Sequence, residues 1–429
     1  MSTIPTVDDP VESTNLVHSA SKRETEFVAR SSKLKTVGPP FPLSAIGGLG
    51  KEFVDLYGEH LESPPEFLYA AWHTCFGLAI SQFVRLDLLV TCRPRLYTVL
   101  LGDSALPRKS TSIGVAVRFW EGLNALISPM GYRTDYGLGS VEGLARVHNG
   151  WTTKIRPDQR PTLLVYDELQ SFVEKARQRG STLLPFVSSL FESEEYDGTT
   201  SKRMVSLRGC KVALLGASTL DTYEHMWTPE FTNIGLPNRL FILKGTRTKC
   251  VPIPRSPLDS SRREYEERVR KLLNQIAEWS KKSNGLISLS PAATKTWSDY
   301  YPSLEKGGIH AKRLDTYGFR WMILLALSQE EFEISERVVE QVIALNDYEL
   351  AIRRLYDPID AENNVAKMEE RIRRIMSEHS NRCWTCRELQ QRTHSNRVGI
   401  WVLKTALENL EKIGEIKKEN GRDAWTLAL

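Results

Sequence analysis

Long apolar runs are missing from this 429-residue chain: none approaches the ~18–20 residues that a helical membrane span needs. The N-terminus likewise lacks the apolar core of a secretory leader. An excess of one charge is also missing. The 57 Lys and Arg stand against 53 Asp and Glu for a net charge of +4, a balance that permits nucleic-acid binding without arguing for it. Cysteines are few. Cys75, Cys92, Cys210, Cys250, Cys383 and Cys386 are scattered, mostly through apolar segments, the pattern of reduced thiols and not of a disulfide framework. These absences predict a soluble, cytoplasmic protein with no membrane partner. The 41% hydrophobic and 26% charged composition is that of an ordinary globular chain with room for two or three domains.

What is present centres on residues 96–112. The apolar run Leu96 to Leu101 ends at Gly102. A short polar loop then carries Ser104 and Arg108-Lys109-Ser110-Thr111, and an amphipathic segment follows with Val115, Val117, Phe119, Trp120 and Leu123. Strand, loop, lysine plus hydroxyl, then helix is the outline of a phosphate-binding loop: backbone N–H groups and the helix N-terminus hold phosphate oxygens, the lysine neutralises charge, and a hydroxyl, here Ser110 or Thr111, binds Mg²⁺. The regular pattern is not met. Six residues separate Gly102 from Lys109, and Arg108 stands where a second glycine is expected; a side chain there restricts backbone approach.

A second stretch supports the first. Thr162 to Tyr166 is apolar or aromatic and ends in Asp167-Glu168, as in the strand that carries the Mg²⁺-linked carboxylate of P-loop ATPases. Asp167 is expected to hold the ion and Glu168 to orient or deprotonate the attacking water. Lys211 to Thr219 reads as a third buried strand, with Ser218 or Thr219 as a polar sensor beside the γ-phosphate. Arg239, leading into the apolar Leu240 to Leu243, reads as an arginine finger that reaches a neighbour's ATP, which implies a ring such as a hexamer, or a filament of subunits.

Around these stretches the chain divides into a polar arm over residues 1–40 that reads as disordered, an ATPase core with N-terminal helices over 41–250, a helical region over 251–364 and a terminal unit over 365–429. Val84 to Val90 reads as a strand and Tyr196 to Thr200 as a loop. Arg313 and Arg320, in the helical region, are further candidates for phosphate contact. The terminal unit reads as three helices and a hairpin turned at Asn420-Gly421, a winged helix. Its Arg392, Arg397, Lys404, Lys417, Lys418 and Arg422 would form the DNA-facing surface, with docking to another protein as the alternative. Cys383-Trp-Thr-Cys386 flanked by His379 and His394 is nominally a ligand set, but there is no second such pair and the spacing matches no common zinc finger.

The order Phe41-Pro-Leu, Pro65-Glu66, Gly102 with Arg108-Lys109-Ser-Thr-Ser112, Ser140-x-Glu142-Gly143-Leu144, Leu163 to Glu168, and Gly235 with Asn238-Arg239-Leu240 resembles the RepA-like, YfjI-type P-loop ATPases of plasmids, prophages and integrated elements. The resemblance covers roughly residues 41–355. It implies an α/β fold with a P-loop NTPase core, RecA-like or AAA-like, a helical lid and ATP with Mg²⁺ as ligands. In part of that family Arg-Lys likewise replaces Gly-Lys. The expected function is an ATP-hydrolysing DNA-associated motor, a helicase-like replication factor of a mobile genetic element. The alternatives are an ATP-switched DNA-binding regulator or defence protein, and a scaffold with a degenerate nucleotide loop.

Overall fold

The computed structural model describes residues 38–90, 92–103, 108–124, 130–150, 157–199, 204–358, 364–377, 381–393, 395–419 and 423–428. At its centre is a five-stranded parallel sheet. Its strands are β1 (Tyr97–Leu101), β2 (Arg133–Tyr136), β3 (Thr162–Tyr166), β4 (Val212–Ser218) and β5 (Phe241–Lys244), in the order β2-β3-β4-β1-β5. β1, β3 and β4 are buried along their whole length. They read as unbroken apolar runs because parallel strands covered on both faces have no solvent side to alternate toward. The edge strand β2, Arg-Thr-Asp-Tyr, has only half-buried and exposed residues, so no apolar pattern announces it.

Helices cover the sheet. After α1 (Gly48–Gly58), α2 (Pro65–Ile80) begins with Pro at its first position, where the missing N–H costs nothing, and is buried from Phe67 onward. It packs on β4 and against α3 (Lys109–Asn124). After β5 come α4 (Asp259–Ser283), α5 (Leu314–Ser328) and α6 (Glu336–Tyr356). Their apolar residues join those of the sheet in one cluster that runs from Ala45 to Ile352.

Buried polar groups on α5 and α6 fasten the entry to β5. Both carboxylate oxygens of Glu349 accept from Ile242 N–H at 3.0 Å. Arg353, wholly buried, donates from Nε to Glu349 at 2.8 Å and from its outer nitrogens to the carbonyls of Leu240 (2.8 Å) and Lys312 (2.8 Å). Tyr317 Oη donates to Arg239 O at 2.6 Å. Arg320 is spent in the same way: its guanidinium donates to the carbonyls of Arg95 and Phe191. Arg313 pairs with Glu192.

The last segment gathers around its own apolar cluster, which includes Met368, Ile372, Trp384, Leu389, Leu403 and Leu407. It contains α7 (Asn364–Ser377), α8 (Cys386–Arg392), α9 (Ile400–Lys412) and the antiparallel pair β6 (Ile416–Lys418) and β7 (Ala424–Leu427); Trp384–Thr385 adds a third strand beside β7. α8 starts on a capping box in which Thr385 and Glu388 satisfy each other's backbone N–H groups. Arg371 pairs with Glu224 at 2.8 Å, and Arg374 donates to the carbonyls of Leu355 and Asp357. The Asn420-Gly421 turn and Arg422 lie outside the described residues.

Two local expectations change. Only Arg85–Leu86 of the Val84 to Val90 run is a strand, paired in parallel with Leu286–Ile287. The chain then turns back so that Leu86 N–H meets Cys92 O, leaving Leu88, Leu89 and Val90 exposed. Tyr196–Thr199 is not a loop but pairs antiparallel with Met204–Leu207, with Arg208 bridging to Asp197 at 2.8 Å. Among the described residues no helix is long and apolar enough to cross a membrane.

Replacing Glu349 with Ala would leave the Arg353 charge buried without its partner. Such a loss costs about 3–5 kcal/mol, so the urea unfolding midpoint should fall sharply, with Glu349→Gln falling less because the amide oxygen still accepts.

Candidate functional site

In an open parallel sheet every carboxyl end lies at the same edge, and ligands bind where the connections leaving neighbouring strands diverge. Here that point is β1 and β4. From β1 the chain crosses to β2 at the far edge; from β4 it passes over β1 to β5. The register aligns these ends. Leu101 pairs with Ser218, and Tyr166 pairs with Gly216, after which the chain bends at Asp167 and Glu168 on its way into the next helix. Gly102, Ser218 and Asp167-Glu168 therefore share one edge across three adjacent strands, each about 4.8 Å from the next.

The loop after β1 supplies the lysine. Lys109 opens α3, and its ammonium donates to the carbonyls of Gly102 and Asp103, both at 3.0 Å. Burial lowers its pKa, while the carboxylates of Glu168 and Asp103 act against that shift. Ser112 N–H makes the first bond of the helix, to Arg108 O at 3.0 Å; the N–H groups of Lys109, Ser110 and Thr111 precede it, the donors a helix start leaves unused. Ser112 Oγ is committed to Arg108 O. Ser110 is exposed and Thr111 half-buried. Ser104 lies outside the described residues.

Arg108 takes φ +49°. The position where a glycine was expected does need the left-handed conformation, and this chain imposes it on an arginine, at a steric cost that glycine avoids. The arginine is tied down from a distance. Arg108 Nε donates to Glu62 at 2.7 Å, and the same carboxylate accepts from Arg247 at 3.1 Å and from Val251 N–H at 3.0 Å. Burial alone would raise the Glu62 pKa, but Arg108, Val251 N–H and Arg247 together hold it down at about 2. No local pattern in Leu61-Glu-Ser-Pro marks this residue. Only the fold brings it to the loop.

On the acidic side, Asp167 and Glu168 are exposed, and among the described residues neither carboxylate makes an ion pair or side-chain hydrogen bond. Ser218 and Thr219, alternatives in the sequence, are separated by the structure. Thr219 is the N-cap of the helix Leu220–His225 and accepts from Thr222 N–H at 3.1 Å, whereas Ser218 Oγ is buried and, among the described residues, has no hydrogen-bond partner. An orphaned hydroxyl between a lysine-bearing loop and two unpaired carboxylates suits a polar ligand. Among the described residues no group of three or more His, Cys, Asp and Glu could cage a metal ion. A Mg²⁺ ion held by one carboxylate, a hydroxyl and phosphate oxygens needs no such cage.

Arg239 is not brought to this edge as a free group. Its guanidinium turns back onto its own loop and donates to Ile234 O (2.7 Å) and Gly235 O (2.9 Å). In the last segment, Lys404 and Lys417 are exposed, Lys418 leans over the Trp425 ring (5.2 Å), and Arg392 lies over Trp384 (5.1 Å); the side chain of Arg397 lies outside the described residues. Trp401, 62% exposed, opens the outer face of α9 ahead of Lys404, an aromatic that charge counting misses.

The chain matches no model of a known protein family, and no curated protein sequence matches it.

The sign of the Glu62 contribution follows from its depressed pKa. The stabilisation is complete above the ordinary value of 4.5 and is lost as pH falls through about 2. The melting-temperature gap between the wild type and Glu62→Gln should therefore be widest at neutral pH and close across that window; a gap independent of pH would show that the charge does not matter.

Proposed function

We propose that this chain is a P-loop ATPase that works on DNA, a helicase-like motor of the kind mobile elements encode. The observation that carries the reading is the shared carboxyl edge that bears the Lys109 loop, Asp167 and Glu168, and the Ser218 hydroxyl, the last three without side-chain partners among the described residues. The strand order, with the strand ending in Ser218 lying between those of the lysine loop and the acidic pair, supports it.

In this reading the N–H groups at the start of α3 and the Lys109 ammonium hold the phosphates, so that Lys109 exchanges its two carbonyl partners for phosphate oxygens. Ser110 or Thr111 and Asp167 would hold Mg²⁺, which supplies charge neutralisation at the transferring phosphate. Glu168 orients water and accepts its proton, and Ser218 donates to the γ-phosphate. Arg239 acts across a subunit interface after giving up Ile234 O and Gly235 O. The C-terminal unit acts as a winged helix, with the start of α9 and the β6–β7 wing against DNA.

One observation favours the switch alternative, in which ATP controls assembly and DNA binding without unwinding. The strained Arg108 is latched to Glu62, so the loop has a second resting partner and turnover is not its only use.

Steady-state ATPase with and without single-stranded DNA separates the readings: DNA-stimulated turnover fits the motor, and binding without turnover fits the switch. Lys109→Ala should abolish turnover, and Glu168→Gln should bind ATP yet hydrolyse it at least about a hundredfold more slowly, within the range removed with a general base. Loss of binding in Glu168→Gln would reverse the carboxylate roles.

Exchanging both Lys417 and Lys418 for Glu should leave basal ATPase unchanged and weaken DNA binding, more at low salt than at high salt, because phosphate contacts act through counterion release. DNA affinity unchanged across a salt series would make this unit a protein-docking module.

A further inference from the structure

Beside α3 lies a cavity of about 510 Å³ that begins at Thr111, in the first turn of the helix. Thr111, Val115, Arg118 and Gly122 line one wall. Their spacing of three and four residues makes them one stripe of the helix, about 16 Å long at 1.5 Å per residue. The stripe begins at the first turn, next to the lysine. Tyr57, at the end of α1, and Leu61 form a second wall, and Pro254 and Pro257, between β5 and α4, form a third.

We propose that this cavity receives the base and ribose of the nucleotide whose phosphates are held at the start of α3; the inference rests on the phosphate-site reading above. Three features carry it. The volume lies within the range of small-molecule sites, about 300–1,000 Å³. The half-buried Tyr57 ring, held edge-to-face against the buried Phe119 at 6.4 Å, offers an aromatic surface for a flat heterocycle. Polar edges stand around that surface, from His60, Arg118 and Arg262, for hydrogen bonds to base and sugar. A ligand anchored at the N-terminus of α3 would lie along the helix, with its phosphates at one end of the stripe and its base farther down.

The test compares ATP with inorganic tripolyphosphate by calorimetry, on the wild type and on two variants that fill the cavity, Val115→Trp and Gly122→Phe. Gly122 is suited to this because a Cβ built there meets no atom within 4 Å, and melting curves check that both variants fold. The expected result is an ATP affinity at least about tenfold weaker in each folded variant, with tripolyphosphate affinity unchanged. If tripolyphosphate binds the wild type and both variants keep full ATP affinity, the base sits elsewhere and this inference fails while the phosphate site stands. If neither ligand binds the wild type, the phosphate-site reading fails and takes this one with it.

Discussion

Parallel pairing is the constraint on which the rest of this structure depends. Strands that run the same way must each be returned by a crossover, so all five carboxyl ends collect at one edge and all the loops that leave them crowd together. Residues 102, 167 and 218 are far apart in the chain and become neighbours for this reason alone. The register then sets which strand ends stand level: Leu101 pairs with Ser218, and Tyr166, just ahead of the acidic pair, pairs with Gly216. Helices on both faces keep that edge in place: α2, buried from Phe67 to Ile80, is as apolar as the strands it covers.

Much of this was legible in the residues because burial on two faces leaves a plain trace. β1, β3, β4 and β5 are short apolar runs closed by small or acidic residues, and their order along the chain fits a parallel sheet. Short polar side chains open several helices: Ser140, Ser335 and Thr385 each accept from an N–H three residues on. The polar edge strand β2 left no trace, since one covered neighbour is enough to hold it. The Val84 to Val90 run misled because apolar composition resembles burial, and three of those side chains face solvent. Tyr196–Thr199 misled in the opposite sense, a turn-like sequence drawn into a hairpin by its partner strand.

The candidate site divides along the same line. Its lysine, carboxylates and hydroxyls stand at strand ends, where sequence order already suggests chemistry. Its controlling partners do not. Glu62 reaches Arg108 across 46 positions of chain, and the cavity beside α3 is assembled from three separate segments. Arg239 shows the converse. Its place in sequence suggests an outstretched donor, while the carbonyls at the end of the helix Pro229–Ile234 take up its guanidinium. A positively charged group at a helix C-terminus is an electrostatically favoured arrangement in its own right.

The fastening of β5 by α6 bears on how copies of this chain can meet. β5 is the last strand of the sheet, and its outward N–H groups would ordinarily invite another strand to pair. Glu349 takes the N–H of Ile242, and Tyr348 Oη takes that of Lys244 at 3.0 Å while donating back to the Lys244 carbonyl. The helix that holds the strand in place thus also blunts it, and growth of the sheet from one molecule into the next is closed at this border. Any assembly on this side must be built from side chains and surface shape, contacts that can form and part without unravelling the core.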